Sequence, residues 1–368
     1  MDTLRKFLKR KDIVFTLQRY GIDALAAMAQ GLFCTLLVGT ILNTLGQQLH
    51  IGFLNEVIVT IGKGEGSVGY TAGGLASAMV GPGIAVAIGF ALHCPTLVLF
   101  SLIPVGFAAN AMGGAGGPLA VYVIAILASE CGKLVSKETR IDILVTPIVT
   151  ILAGIGAASL IAAPIGTAAG AVGEAVRWAT AQQPFLMGIL VSVLVGMALT
   201  LPISSAAICQ ALTLTGLAGG AAVAGCCAQM VGFAVMSFRE NRWGGLVAQG
   251  VGTSMLQMPN IVKNPKIWIP PTLASAITGP IATCLFRLEM NGAPVSSGMG
   301  TCGFVGQIGV YTGWVSDMAS GAKAAITPMD WVGLVLVCFV LPAILSWFFC
   351  EILRKWGWIR ENDLKLEL

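Results

Sequence analysis

Residues 178–238 read WATAQQPFLMGILVSVLVGMALTLPISSAAICQALTLTGLAGGAAVAGCCAQMVGFAVMSF, without one Asp, Glu, Lys, Arg or His. A water-soluble domain cannot clothe its surface with such a run, because roughly a quarter of the residues in soluble domains are charged. Charged residues make up 10% of this chain and apolar residues 56%, and the mean hydropathy is +0.86. The chain reads as a polytopic membrane protein.

A helix needs about 20 apolar residues to cross the hydrocarbon core. Blocks of that kind lie near 23–47, 67–91, 94–113, 116–134, 141–163, 184–203, 216–238, 267–288 and 331–350, with 246–262 and 292–309 ambiguous. The expectation is an all-α protein with eight to ten full spans and one or two partial ones. Two stretches depart from the span pattern. One is SSAAICQALTLTGLAGG (204–220); the other is GAPVSSGMGTCGFVGQIG (292–309), with six glycines in eighteen residues. Glycine disfavours a helix interior by about 1 kcal/mol relative to alanine. Short, hydroxyl-bearing, glycine-broken runs predict discontinuous helices or re-entrant loops, tolerated at membrane depth only where protein or water satisfies the backbone. In transporters such breaks mark the substrate site. A kinked helix with an external loop is the other reading. The remaining glycine-rich segments, such as GGLASAMVGPG (73–83) and AMGGAGGPLA (111–120), suit close helix packing.

Residues 1–20 carry Arg5, Lys6, Lys9, Arg10, Lys11 and Arg19, and the other end carries Arg354, Lys355, Arg360 and Lys365. Basic flanks stay on the cytoplasmic side, so both termini are expected there, with an even number of crossings. Residues 1–20 look like an amphipathic surface helix, with Phe7, Leu8, Val14, Phe15 and Leu17 towards the bilayer. The net charge of +4 follows from these flanks and calls for no nucleic-acid partner. Ten cysteines and two histidines, with no C-x-x-C pair, predict packed thiols and neither a metal site nor a cofactor.

The segment 239–271 is rich in amides: Asn241, Gln249, Gln257, Asn260 and Asn264, joined by Thr253 and Ser254. Neutral groups that both donate and accept suit a polyol; a cytoplasmic loop would carry amides too. Ionisable residues inside a membrane are functional candidates. Glu289, in FRLEMNGAP beside the second broken stretch, is the foremost. Glu130 and Lys133 are three apart on one helix face and suit a structural pair, and His93 is solitary.

The runs SECGKLVSKETRIDILVTPIVTILAG (129–154), QGVGTSMLQMPNIVKNPKIWIPPTLASAITGP (249–280) and GMGTCGFVGQIG (298–309) resemble the EIIC-like membrane proteins of the phosphotransferase system. The closest branch is the one containing the PfoR regulator proteins. The resemblance implies about ten transmembrane helices, two re-entrant hairpins and a homodimer in a bacterial cell membrane. It also implies a sugar or sugar-derived ligand carried by alternating access, with phosphorylation by separate EIIA and EIIB proteins, since neither is fused here. Docking of EIIB would use Lys137, Arg140, Arg239 and Arg242. His93 does not stand in the context that glucose-type chains use. The organisation expected is 1–20 surface helix, 21–180 scaffold half, 181–352 transport half and 353–368 cytoplasmic tail. The expected ligand-lining residues are Ser204, Ser205, Gln229, Thr253, Ser254, Gln257, Asn260, Glu289, Ser297, Thr301 and Gln307. No residue is expected to make or break a bond. An ion-coupled transporter using Glu289 or Glu130, and a membrane sensor, are the rival readings.

Overall fold

The computed structural model describes residues 2–62 and 67–366. Helices dominate throughout, the exception being one short antiparallel β-hairpin that pairs Val59 with Tyr70. Five helices among the described residues are long and apolar enough to cross a membrane, or six if one bent pair counts as a span. The chain is an all-α polytopic membrane protein. It divides into two compact units, Met1–Ala168 and Ala169–Leu368.

In the first unit, α1 (Asp2–Arg10) precedes the span α2 (Gln18–Gln47). The bent pair α3 (Ala72–Ala78) and α4 (Val80–Ala91) turns by 54° between its halves. Thr71 starts α3 by accepting from the Gly74 amide at 3.0 Å, a capping bond that satisfies one free helical N–H. The apolar run 96–135 is a helical hairpin: α5 (Thr96–Gly113) and α6 (Gly117–Val135) reverse at Gly114, whose φ of +51° suits glycine. A Cβ on Gly132, near the end of α6, would sit 2.8 Å from Val98 at the start of α5, so the two arms run antiparallel.

Buried charge ties the ends of these helices together. Lys133 is 2% exposed and donates to Glu130 Oε1 at 2.9 Å and to the carbonyls of Asp12 and Leu92, both at 3.1 Å. Arg19 grips Asp12 through two bonds of 3.0 and 2.6 Å and reaches Leu92 O at 2.6 Å. The start of α2, the end of α4 and the end of α6 therefore meet at one end of this unit. The Arg19 guanidinium holds the Asp12 carboxyl down at about 2, against burial that opposes it. The helix α7 (Asp142–Thr180) is the least enclosed span; Ile143, Leu152 and Leu160 are all more than half exposed, as lipid-facing residues are.

The second unit is built around α10 (Gly216–Met236). At 21 residues it is about 31 Å long, the thickness of a hydrocarbon core, and 89% of its apolar window is buried. Around it stand α8 (Pro184–Thr200), α13 (Ile269–Pro280) and α15 (Pro328–Lys355). Proline at the first turn of α8 and α15, where no helical N–H bond is lost, marks their starts. A Thr327–Asp330 capping box reinforces the start of α15. Glycines let the backbones touch. A Cβ on Gly220 would lie 1.7 Å from Leu288 O, and one on Gly225 1.9 Å from Ser192 O.

Two excursions leave one end of α10 and return to it. Thr283 donates to Pro184 O at 2.8 Å, while Gly216 and Met290 exchange both backbone bonds at 3.0 Å. Chain that departs at residue 184 is thus back by 216, through α8 and the short α9 (Ser205–Ala211). The second excursion departs at Asn291, passes two turns of 3-10 helix, and returns along α14 (Val305–Ser320). Its ends are joined by Asn291 Nδ2 donating to Asp317 Oδ2 at 2.8 Å. The first excursion takes in the block 184–203, expected as a span, together with the broken stretch that follows it; the second covers the broken stretch 292–309. The other end of α10 is marked by Arg354, at the foot of α15, donating to Met236 O at 3.4 Å.

Two outcomes follow. Gly220→Ala should cost stability at the upper end of the roughly 1–3 kcal/mol typical of overpacking. Gly156→Ala, with open space at its Cβ, should be neutral or stabilising; thermal unfolding in detergent compares them. Asp12 has a folded pKa below the free value of 3.8, so its contribution is complete above the free value and fades as pH falls towards about 2. Asp12→Asn should therefore lower the melting temperature at neutral pH and converge on the parent as the medium is acidified through that window.

Candidate functional site

The eleven sequence-predicted residues fall into four places in the second unit. The first is the contact between the hairpins. Ser205 Oγ donates to Gly298 O at 2.7 Å, and Ser297 Oγ donates to Leu214 O at 2.6 Å. Each serine thus holds the backbone of the opposite hairpin, where the broken helices leave carbonyls without an intrahelical partner. Ser204 caps α9 by accepting from Ala207 N at 3.2 Å. The glycines between them serve the same closeness: Gly298 lies against Ser205 O, and Gly300, at φ +52°, against Cys226.

The second place is the middle of α10. Gln229 is fully buried and uses its whole amide: Oε1 accepts from Trp268 Nε1 at 3.0 Å and Thr200 at 3.3 Å, while Nε2 donates to Thr272 at 3.3 Å and Ser275 at 3.5 Å. Thr200 also meets Ser254 at 2.8 Å. Thr253 spends its oxygen on the Met255 amide.

The third place holds the amides of 239–271, and they grip the chain's own tail. Gln257 Nε2 donates to Leu364 O at 3.0 Å and to Gln249 Oε1 at 2.9 Å. Asn260 Nδ2 donates to Gln257 Oε1 and to Lys365 O, both at 2.8 Å. Asn241 donates to Leu364 O at 2.7 Å and accepts from Leu366 N at 2.8 Å. Asn264 donates to Trp358 O and to Asp363. Leu364 and Ile359 are buried with Phe233, Met236, Ile261 and Leu353. Ile359 and Leu364 are therefore part of this unit's core.

The fourth place is the second hairpin from mouth to tip. At the mouth, Glu289 lines a cavity of about 230 Å³ with Arg287, Asn291, Trp314, Asp317 and Lys323. The Asn291 amide donates to both carboxylates, at 2.8 Å to Asp317 and 3.3 Å to Glu289. The Lys323 ammonium sits 5.6 Å from the Trp314 ring centre and 2.9 Å from Asp330. At the tip, Thr301 is fully buried and its hydroxyl reaches only the Met230 thioether, at 3.5 Å. Gln307 donates to Cys227 Sγ at 3.1 Å, but its buried Oε1 has no partner. A buried carbonyl left without a donor costs about 1–3 kcal/mol.

Hydrogen-bonding capacity therefore separates the candidates. Ser205, Gln229, Gln257, Asn260 and Ser297 are committed to the protein itself. Glu289, Thr301 and Gln307 keep capacity to spare, along one hairpin. Asn291, Trp314 and Asp317 join them without having been singled out in the sequence. Asp317 offered a signal, as a lone carboxylate ending an otherwise uncharged apolar helix.

Two glycine-broken hairpins fold against a buried helix long and apolar enough to cross a membrane, with a polar cavity at the mouth of the second. The sequence model described as "Phosphotransferase system, EIIC" matches residues 22–366, and the chain belongs to that family. No curated protein and no solved structure matches it.

Leu364→Ala should destabilise the protein by about 2–5 kcal/mol, as deletion of a buried leucine does, although it lies beyond the last span. Glu361→Ala, on the exposed side of the same tail, should stay within about 0.5 kcal/mol. Chemical or thermal unfolding of the purified protein distinguishes the two.

Proposed function

We propose that the chain translocates a sugar or sugar-derived molecule by alternating access, coupled to phosphorylation by separate EIIA and EIIB proteins. The ligand enters at Glu289, Asn291 and Asp317 and is taken up by Thr301 and Gln307. The observation that supports this most is the Gln307 carbonyl oxygen, buried and unpartnered on a re-entrant hairpin. A hydroxylated ligand brings the donor that this oxygen lacks. The paired carboxylates at the mouth each accept hydroxyl hydrogen bonds. Both termini lie in the cytoplasm in this reading, with Lys137, Arg140, Arg239 and Arg242 facing the phosphoryl carrier, and two copies pair through the first unit.

The test uses membrane vesicles and a panel of radiolabelled hexoses, pentoses and hexitols. Accumulation should require phosphoenolpyruvate and the soluble phosphotransfer proteins. Accumulation driven instead by an imposed proton or sodium gradient would point to Glu289 and Asp317 as coupling groups and overturn the reading, as would no accumulation of any member. Gln307→Leu removes the unpartnered oxygen and keeps the volume. It should leave the melting temperature unchanged or raised while weakening the accumulated sugar's affinity by roughly ten- to hundredfold, the equivalent of about 1–3 kcal/mol. Glu289→Gln should weaken it at least as much. Parent-like uptake by both variants would place the ligand elsewhere.

A further inference from the structure

A second cavity, of about 350 Å³, lies at the end of the first unit where α1, the turn after α4 and the end of α6 come together. Four cations line it, namely Arg10, Lys11, Lys133 and Lys137, against the two carboxylates of Asp12 and Glu138. With His93 neutral the lining carries a charge of +4 − 2 = +2. Arg19 and Glu130, just behind it, cancel each other.

The cations are held in distinct ways. Lys133 is fixed by Glu130 and two carbonyls, and cannot swing away. Arg10 and Lys11 both lean on the single carboxylate of Glu138, at 2.6 and 2.5 Å, so one negative charge is shared by two positive ones. The Lys137 ammonium has no hydrogen bond or ion pair among the described residues. Lys137 itself adopts a φ of +61°. His93 rests on Asp12 at 3.3 Å and takes up part of that carboxylate. With Lys133 offset by Glu130, and Asp142 accepting from the Lys137 amide at 2.7 Å, the pocket keeps a surplus of positive charge on Arg10, Lys11 and Lys137.

The surroundings select the source of the anion. Phe15 and Leu17, in the segment between α1 and α2, and Phe90, one turn before His93, are each more than 70% exposed. Exposed aromatic and aliphatic side chains beside a cationic pocket at the end of membrane helices mark the level where acyl chains give way to headgroups. The geometry points to this cavity as a binding site for the phosphodiester of an anionic phospholipid. The phosphate oxygens would be taken by Lys137, Arg10 and Lys11, and the acyl chains would lie along Phe15, Leu17 and Phe90. The inference is independent of what the second unit carries.

The full-length protein, purified in a neutral detergent, is titrated with phosphatidylglycerol, with phosphatidylcholine and with inorganic phosphate, and bound lipid is counted by native mass spectrometry. One phosphatidylglycerol per chain should bind at least tenfold more tightly than phosphatidylcholine, and inorganic phosphate should compete only weakly. Lys137→Ala and Arg10→Ala should each weaken phosphatidylglycerol binding about tenfold without moving the melting temperature by more than a degree or two. Glu138→Gln, which frees Arg10 and Lys11, should tighten it severalfold. Lys6→Ala, on the same helix but outside the cavity, reports the general attraction of a basic helix for anionic lipid. Three results would each overturn the assignment: equal binding of the two lipids, an effect of Lys6→Ala as large as that of Lys137→Ala, or tight binding of inorganic phosphate with none of phosphatidylglycerol.

Discussion

Backbone touching backbone at α10 is the contact on which the second unit depends. Inside a bilayer no hydrophobic gain separates helix–helix from helix–lipid contact, so close packing and hydrogen bonds must hold helices together. Here Gly220 meets Leu288 O, Gly225 meets Ser192 O, and Gly232 faces Pro271 and Ser346. Gly225 and Gly232, seven residues apart, share one face and Gly220 lies on another, so neighbours touch the helix backbone on two sides. The same closeness places Ser297 beside Leu214 and lets Gly216 and Met290 form a two-residue sheet bridge. The hairpins are thus fixed by the helix before any polar side chain acts.

Within this frame the polar groups sort by depth. At mid-helix, where water does not reach, Gln229 is matched on all four of its hydrogen-bonding positions. Gln307 lies at a similar depth, against Cys227, and is not matched. In a medium where an unpaired group costs so much, Gln307 shares this state with the Ser346 hydroxyl, also buried without a partner. At the ends, ion pairs such as the buried Arg354–Glu240 and the more open Lys323–Asp330 hold chain segments together.

Much of this was legible in the residues. The uncharged run 178–238 required a membrane, and the glycine and serine pattern of 204–220 and 292–309 marked two stretches where the helices break. Lys133 and Glu130, three apart, form the pair that their spacing suggested. What composition could not reveal was the partner of each polar group. Gln257 and Asn260 carry the right chemistry for a polyol, yet a peptide carbonyl presents the same acceptor, and their partners lie more than a hundred residues away at Leu364 and Lys365. Several glycines of 292–309 make room for neighbouring backbone, Gly298 against Ser205 and Gly306 against Gly300. Asn291 and Asp317 went unremarked because they are 26 positions apart and meet only once the hairpin closes.

The amide clamp on residues 358–366 has a kinetic side. Asn241 and Leu364 are 123 positions apart, and closing so long a loop must precede any return from the contact it makes. The clamp is therefore a late event in folding, formed after α10 and α13 have packed. Until it closes, the cluster of amides stands open at the end of the helices, where water can occupy their donors and acceptors. A similar cluster halfway along α10 would have no such stand-in, and an intermediate that exposed it to lipid would be too costly to traverse. This clamp sits at a depth where water can stand in for its partners until it closes.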